Sequence, residues 1–329
     1  MFPAADAFGK DDMTDIQVRV AEVRTETPSV RTLRLVSTDG TQLGPYPAGA
    51  HVDVVGPTGI RRQYSLCNPP ADIGTLLIAV KREPDSRGGS LALHTVVEGD
   101  ALSIGEPRNL VSVADEADRH LLVAGGIGIT PLLSMAYELH RRAEDFELLY
   151  FARSAGECAF LRLLCEEVTF RDRVEVRLGV PRDEQLPLVE AAIARLTARS
   201  HVYTCGPEGF MAQVLAAAEP VVGGHVHVEH FEAAEADTSQ DTAFAVELDT
   251  GEIFEVPAHR SILSVLTENG VDVAKSCEEG ICGSCVSGVL DGVPDHRDNC
   301  LSVSDKAAGD QIALCVSRAR TPKLVIELY

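Results

Sequence analysis

Positive charge is scarce in this chain. Of its 329 residues only 29 are lysine or arginine, against 50 aspartate or glutamate, and the net charge is −21. That shortage argues against nucleic acid or an anionic membrane as partner, because both are held through basic side chains. Also missing is any apolar run close to the roughly 20 residues of a membrane-spanning helix. The opening MFPAADAFGKDDMTD has neither the basic start nor the apolar core of a secretion signal, and residues 1–14 read as a disordered extension. There are no internal repeats, no haem motif and no hydrolytic triad. Nine cysteines are an odd number for a disulfide scaffold, and without a secretion signal they point to a reducing, cytoplasmic setting.

What is present describes a globular protein of two or three domains, with 45% hydrophobic residues and a mean hydropathy near zero. The acidic balance suits docking to a basic patch on another protein, and ordinary solubility explains it equally well. Period-two alternation at residues 16–20, 31–36, 51–56, 62–66 and 76–82 predicts antiparallel strands of a small barrel or sandwich, with a short helix over 90–97. From about residue 119 apolar strands alternate with helices: strands at 120–124, 147–151, 174–178 and 201–204, helices at 132–142, 159–167, 188–196 and 209–219. This implies a doubly wound parallel sheet. Residues 232–242, EAAEADTSQDT, read as a linker. Beyond them come a hairpin over 244–256, a helix capped by Ser261, and strands near 286–290, 311–316 and 324–328.

The most specific signal is Cys277-Glu278-Glu279-Gly280-Ile281-Cys282-Gly283-Ser284-Cys285, followed at a distance by Cys315. Cys-x4-Cys-x2-Cys with a lone fourth cysteine is the ligand spacing of a plant-type 2Fe–2S cluster. Three thiolates can converge on a small inorganic core only if the loop curls tightly, and Gly280 and Gly283 permit that curl. Buried thiols or a zinc knuckle are the alternatives, but zinc motifs pair Cys-x2-Cys with a second pair of ligands. Cys300 lies between the third and fourth positions and competes for the assignment. It is read as non-ligating, like Cys67, Cys158 and Cys165, with Cys315 expected on a strand.

Three weaker motifs precede it. Arg62-Gln63-Tyr64-Ser65-Leu66 puts Arg62 and Tyr64 on one strand face and Ser65 on the other, a set able to grip a phosphate and lie against a ring; an ordinary surface strand is the alternative. Gly88-Gly89-Ser90 offers N–H groups to a phosphate or simply caps a helix. Gly125-Gly126-Ile127-Gly128-Ile129-Thr130-Pro131 joins strand to helix as a dinucleotide turn does, with Thr130 at the expected N-cap and Pro131 first in the helix, although it is not Gly-x-Gly-x-x-Gly; a tight packing turn is the alternative. Cys205-Gly206-Pro207 ends a later strand of the same sheet and should face the same crevice.

In this order the motifs resemble the phthalate dioxygenase reductase family, over roughly residues 15–329. The resemblance implies an FMN-binding antiparallel β-barrel over 15–114, an NADH-binding α/β domain over 115–231 and, after the linker, a β-grasp ferredoxin domain over 243–329. It implies that Arg62, Tyr64, Ser65 and Leu66 hold the flavin beside Ala79, Val80 and Lys81, with Gly88, Gly89 and Ser90 at its phosphate. Gly126, Gly128 and Thr130 would line the NADH site, Cys205, Gly206 and Pro207 would lie near the nicotinamide, and Phe231 would pack on the flavin ring or fill a domain boundary. Arg153 and Ser154 stand where relatives carry an acidic residue for the ribose, so the preference for NADH over NADPH is less sharply written. Cys277, Cys282, Cys285 and Cys315 would hold the cluster.

The chemistry that follows is electron relay. A nicotinamide gives two electrons together, a cluster takes one, and a flavin converts between them, so no side chain is needed as general acid or base. The acceptor would be a separate protein, a Rieske-type terminal oxygenase or demethylase, with a cytochrome P450 as runner-up and a redox-sensing flavin/iron–sulfur binding protein as the reading from another class. Residues 243–329 hold 14 acidic and 7 basic side chains, a balance of −7 that favours a basic docking face on the acceptor. The reductase itself is expected to be monomeric.

Overall fold

The computed structural model describes residues 16–84, 88–234 and 238–328; the segment expected as an N-terminal extension lies outside them. Two compact units divide the chain, Thr14–Glu229 and the part from His230 to Tyr329.

The first unit opens with β1 (Ile16–Thr27), β2 (Val30–Ser37), β3 (His51–Val55), β4 (Arg61–Ser65), β5 (Leu76–Lys81), the short helix α1 (Gly89–Leu93) and β6 (Ala101–Ile104). These strands form one antiparallel sheet in the order β4-β3-β6-β1-β2-β5. Its two edge strands meet where Leu66 bridges Ile78, which closes the sheet on itself. Alternation is the cause: Val18 and Val20, Leu33 and Leu35, Val52 and Val54, Ile78 and Val80 all turn inward and are buried. The sequence pattern does not announce β6, whose four residues are too few to carry a period; pairing with β1 and β3 makes it a strand.

The same unit continues with β7 (His120–Gly125), α2 (Ile129–Arg141), β8 (Phe146–Ala152), β9 (Val174–Leu178), α3 (Arg182–Ile193), β10 (His201–Cys205), α4 (Glu208–Val222) and β11 (Val226–Glu229). The sheet is parallel throughout, in the order β11-β10-β7-β8-β9. On one face Leu132, Leu133 and Met135 of α2 pack with Leu122, Leu148 and Tyr150, in a cluster that also takes in Val30, Cys67 and Ala79 of the barrel. On the other face Val189 and Ile193 of α3 and Val214 and Ala218 of α4 cover Leu121, Val123 and Leu149. The sheet is doubly wound, and its strand order reverses between β7 and β10. Ligands of such sheets bind in the crevice at that reversal, beyond the carboxyl ends of the strands.

Two local expectations change. Residues 159–167 do not make a regular helix: Phe160 takes a left-handed φ of 61°, and the chain then closes in a π turn at Leu163–Glu167. α2 begins at Ile129 with Gly128 as its N-cap, so Thr130 lies inside the first turn, where its hydroxyl donates to the Ile127 carbonyl at 3.0 Å.

The second unit comprises β12 (Phe244–Leu248), β13 (Ile253–Val256), α5 (Ile262–Glu268), β14 (Val286–Asp291), β15 (Pro294–Asp295), α6 (Val303–Ala308), β16 (Gln311–Ala313), β17 (Arg318–Ala319) and β18 (Lys323–Glu327). Its main sheet runs β13-β12-β18-β14-β16, with β12 and β18 parallel and the other pairs antiparallel. α5 buries Ile262, Leu263 and Leu266 among Val246, Leu324 and Ile326, the β-grasp arrangement. Ser261 caps this helix, its Oγ accepting from the Ser264 N–H at 3.1 Å. The strand expected over 311–316 stops at Ala313, because the chain turns so that the Ser317 N–H reaches the Ala313 carbonyl at 3.0 Å. Cys315 therefore sits on a turn. The end of the acidic stretch is held down, Arg297 forking onto Asp241 with contacts of 2.6 and 3.0 Å. Among the described residues no helix is long and apolar enough to cross a membrane.

The glycine turn after β7 exists only because position 128 lacks a side chain. A Cβ there would lie 2.2 Å from the Cys205 carbonyl oxygen and 2.7 Å from the Gly206 nitrogen, both backbone atoms. Gly128→Ala is expected to cost about 2–3 kcal/mol, the scale of an overpacked core, read as a lowered thermal midpoint. An unchanged midpoint would show that the two loops are not pressed together.

Candidate functional site

β4 carries Arg62, Tyr64 and Ser65, and pairing with β3 fixes which face each uses, Tyr64 opposite Val52 and Ser65 opposite His51. The stem of Arg62 runs along the turn that opens α1: a Cβ on Gly89 would be 3.0 Å from Arg62 Cγ. Two stretches 26 positions apart in the chain are thus side by side, a guanidinium next to a glycine-rich turn, as a phosphate site requires. The Arg62 Nη1 donates to the Arg61 carbonyl at 2.7 Å. Ser90 is buried, its Oγ accepting from the Glu83 N–H at 3.1 Å, which ties the start of α1 to the chain leaving β5. On β5, Ala79 and Val80 are buried and Lys81 is exposed in an ion pair with Glu83. Leu66, at the barrel closure, is fully buried.

At the carboxyl end of the parallel sheet the Gly125–Gly128 turn lies against Cys205 and Gly206; a Cβ on Gly206 would be 3.0 Å from Gly125 Cα. Pro207 is the N-cap of α4. Cys205 is fully buried, and burial pushes its thiol well above the usual range. Arg153 and Ser154 follow β8 at the same sheet edge and are exposed; the Arg153 guanidinium is 4.0 Å from Glu157. Phe231 follows His230 at the start of this stretch of the second unit and is exposed.

Sequence reasoning passed over Glu229. It ends β11 in register with Cys205 and accepts from Ser65 Oγ at 3.2 Å, so barrel and parallel sheet meet at one carboxyl. Its other oxygen is buried with no hydrogen-bond partner among the described residues. Burial raises the carboxyl from 4.5 to about 8, with the Ser65 hydrogen bond opposing, so at neutral pH it is mostly protonated. The available signal was a carboxylate at the end of a strand leading into the crevice, but that strand, like β6, is only four residues long.

In the second unit Cys277, Cys282, Cys285 and Cys315 are all buried and all unpaired by disulfides. They stand two and two. The neighbouring Cys277 is the main influence lowering the Cys282 thiol, and the neighbouring Cys315 the main one lowering Cys285. Among the described residues no three His, Cys, Asp or Glu side chains converge on a single ion. Two pairs of thiols suit a core with two irons, each taking two sulfurs, and do not suit one tetrahedral zinc. The loop supplies polar partners as well: the Glu279 N–H donates to Cys277 Sγ at 3.3 Å, and the Cys282 thiol donates to Ser284 Oγ at 3.2 Å. Gly280 has a φ of 73° and passes so close to the chain beyond Cys315 that a Cβ would be 2.6 Å from Val316 Cγ2. Cys300 points elsewhere, its thiol 3.5 Å from Asp298 Oδ2, and burial raises it.

Known proteins are similar to this chain over most of its length. Residues 246–320 match the family described as 2Fe-2S iron-sulfur cluster binding domain. Across 317 residues the chain is 42% identical to a vanillate O-demethylase oxidoreductase of Pseudomonas sp., covering 95% of this chain and all of the relative. The structure of phthalate dioxygenase reductase, described as modular and as transferring electrons from pyridine nucleotides to 2Fe–2S, matches with a TM-score of 0.70 at 36% identity, over 96% of this chain and 98% of that one. An intact type IV self-sufficient cytochrome P450 monooxygenase matches with a TM-score of 0.85 at 35% identity; 95% of this chain is covered but only 41% of that longer one.

The buried Glu229 carboxyl makes stability depend on pH. Its folded pKa of about 8 lies above the ordinary 4.5, so the folded form binds the proton more tightly. The stabilisation is complete below about pH 4.5 and is lost as pH rises through 8. Glu229→Gln should flatten the fall in thermal midpoint between these limits. Parallel profiles for the two proteins would refute the buried, protonated carboxyl.

Proposed function

The chain belongs to the phthalate dioxygenase reductase family, and on that premise we propose that it is the NADH-oxidising reductase component of a Rieske-type terminal oxygenase or demethylase, with FMN and a 2Fe–2S cluster in one polypeptide. The observation that carries this reading is the two-and-two set of buried, disulfide-free thiols, in a chain whose Gly125–Gly128 turn meets Cys205 and Gly206 at the carboxyl end of a parallel sheet. When bound, the nicotinamide supplies hydride, the flavin accepts it and gives electrons up singly, and the cluster carries one at a time.

The side chains bind, orient and exclude water. Arg62 beside the Gly88–Gly89 turn offers a fixed cation to the single phosphate of FMN. Tyr64 supplies an aromatic face, and Ser65 a hydroxyl held in place by Glu229. The turn from Gly126 to Gly128 lets a pyrophosphate approach backbone N–H groups, and Arg153 and Ser154 meet the ribose at the sheet edge. Buried Cys205 keeps the nicotinamide end of the crevice dry. Cys277, Cys282, Cys285 and Cys315 hold the cluster, and backbone donors such as the Glu279 N–H help set its potential.

The acceptor is read from charge. The ferredoxin part is acidic by 7, which favours a basic patch on the partner. A P450 system is the second reading, supported by the likeness to the self-sufficient monooxygenase. Purified protein should yield FMN on extraction, together with iron and acid-labile sulfide. Cys282→Ser should abolish cluster-dependent reduction of a one-electron protein acceptor while NADH-driven reduction of ferricyanide continues from the flavin; equal loss of both would sink the relay. Raising salt from 50 to 500 mM should slow turnover with the protein acceptor severalfold, since about 10 Å of Debye screening at 0.1 M shortens further as salt rises. Salt-insensitive turnover would remove the charge argument.

A further inference from the structure

The four thiols come from two stretches of chain, and what holds the stretches together is unequal along the loop. At its Cys285 end the loop runs directly into the sheet: the Leu314 N–H donates to the Cys285 carbonyl at 3.1 Å, and Val286 pairs with Ala313. The Cys277–Cys282 end is reached instead through a strap, residues 294–301. The Asn299 N–H of the strap donates to the Gly280 carbonyl at 2.8 Å, and the glycine backbone packs onto Asp298, where a Cβ would lie 3.1 Å from Asp298 Cα. On its other side the strap joins the turn that carries Cys315. Pro294 and Asp295 pair with Ala319 and Arg318, and the Arg297 N–H donates to Ser317 Oγ at 3.1 Å.

Asp298 lies at the centre of this junction. Its side chain is fully buried. One oxygen accepts from Ser317 Oγ at 3.1 Å; the other accepts from the Leu301 N–H at 2.9 Å and faces the Cys300 thiol at 3.5 Å. Lys306 Nζ donates to the Asp298 carbonyl and stands 3.8 Å from the carboxylate, and His296 Nδ1 lies 3.6 Å from it. A carboxylate out of water is costly unless its lone pairs are filled. The Leu301 N–H can only donate, and Ser317 Oγ, which already accepts from the Arg297 N–H, offers its own O–H to the other oxygen. An amide could meet the Leu301 N–H with its oxygen only by turning its N–H2 to Ser317 Oγ and reversing that hydrogen bond.

We propose that Asp298, acting through Ser317, is a positioning residue that sets where Cys315 stands relative to Cys277 and Cys282, and that its buried negative charge lowers the reduction potential of the cluster. Asp298 touches neither iron nor sulfide in this account. It acts through the strap and the turn, and the inference rests on the cluster-binding reading above.

The test uses the full-length holoprotein, with Asp298→Asn and Ser317→Ala beside the parent and Ser317→Thr as the conservative control. Iron and sulfide analysis of the parent comes first; a parent without either overturns the cluster reading itself, apart from the role of Asp298. With a cluster-bearing parent, Asp298→Asn should shift the midpoint potential upward, change the EPR g-values of the reduced cluster, and speed bleaching by a chelator about tenfold, the worth of a hydrogen bond to a charged acceptor. Ser317→Ala keeps the charge, so it should alter the g-values and hasten bleaching with little change in potential. Ser317→Thr should restore the parent values. NADH reduction of the flavin should be unaffected in all three. A merely structural role would lower thermal stability and cluster content yet leave the g-values and potential of the remaining cluster at parent values, and that outcome overturns the proposal. If Asp298→Asn does not accumulate, Ser317→Ala decides alone: parent g-values and bleaching rate refute the clamp.

Discussion

Four sulfurs must be buried together, unoxidised, from places 30 residues apart in the chain at the nearest. Thiolates repel one another and resist leaving water, so such a cluster of groups is unfavourable unless something positive fills the middle and donors surround the rim. The second unit is arranged around that constraint. α5 and the sheet give the loop a rigid wall, the strap at 294–301 draws its far end inward, and backbone N–H groups point at the sulfurs.

The first unit meets a different requirement with similar means. Cofactors that exchange hydride must lie against each other in a dry place, so backbone has to approach closely and polar side chains have to be accounted for. The Gly128 backbone pressed onto Cys205 and Gly206 provides the close approach. Ser65 and Glu229 bind barrel to sheet at the same spot, with the carboxyl kept protonated by burial. The opposite edge of the sheet is spent on packing: His201 stacks on His225 at 4.3 Å and hydrogen-bonds His227 at 2.9 Å, and burial holds His201 and His227 near 4, uncharged at neutral pH. The buried carboxyl thus lies at one edge of the sheet and the stacked imidazoles at the other.

Much of this was legible in the residues because the signals were local. The thiol spacing requires a curled loop, alternation buries Val52 and Val54 together, and the glycine run between apolar strand and helix marks a tight turn at the carboxyl end of the sheet. Where the reading slipped, the deciding force was not local. The helix expected over 159–167 gave way to a left-handed Phe160, the strand expected to reach Cys315 was cut short by a turn bonded to Ala313, and β6 formed because neighbouring strands left it a place.

By itself, then, the order of amino acids determined which groups were available: four cysteines at cluster spacing, an arginine and glycines fit for phosphate, and the alternation of strand and helix. Only the tertiary structure decided which of them meet. Glu229 is one acid among 50 until β11 pairs with β10 and sets it against Ser65 and Cys205. Asp298 is an ordinary loop acid until the strap folds under Gly280 and encloses it among donors. The reason is physical: spacing along a chain governs contacts within a turn or a strand, whereas burial, and with it the charge state of a carboxyl or thiol, depends on segments far apart in sequence closing over the same point.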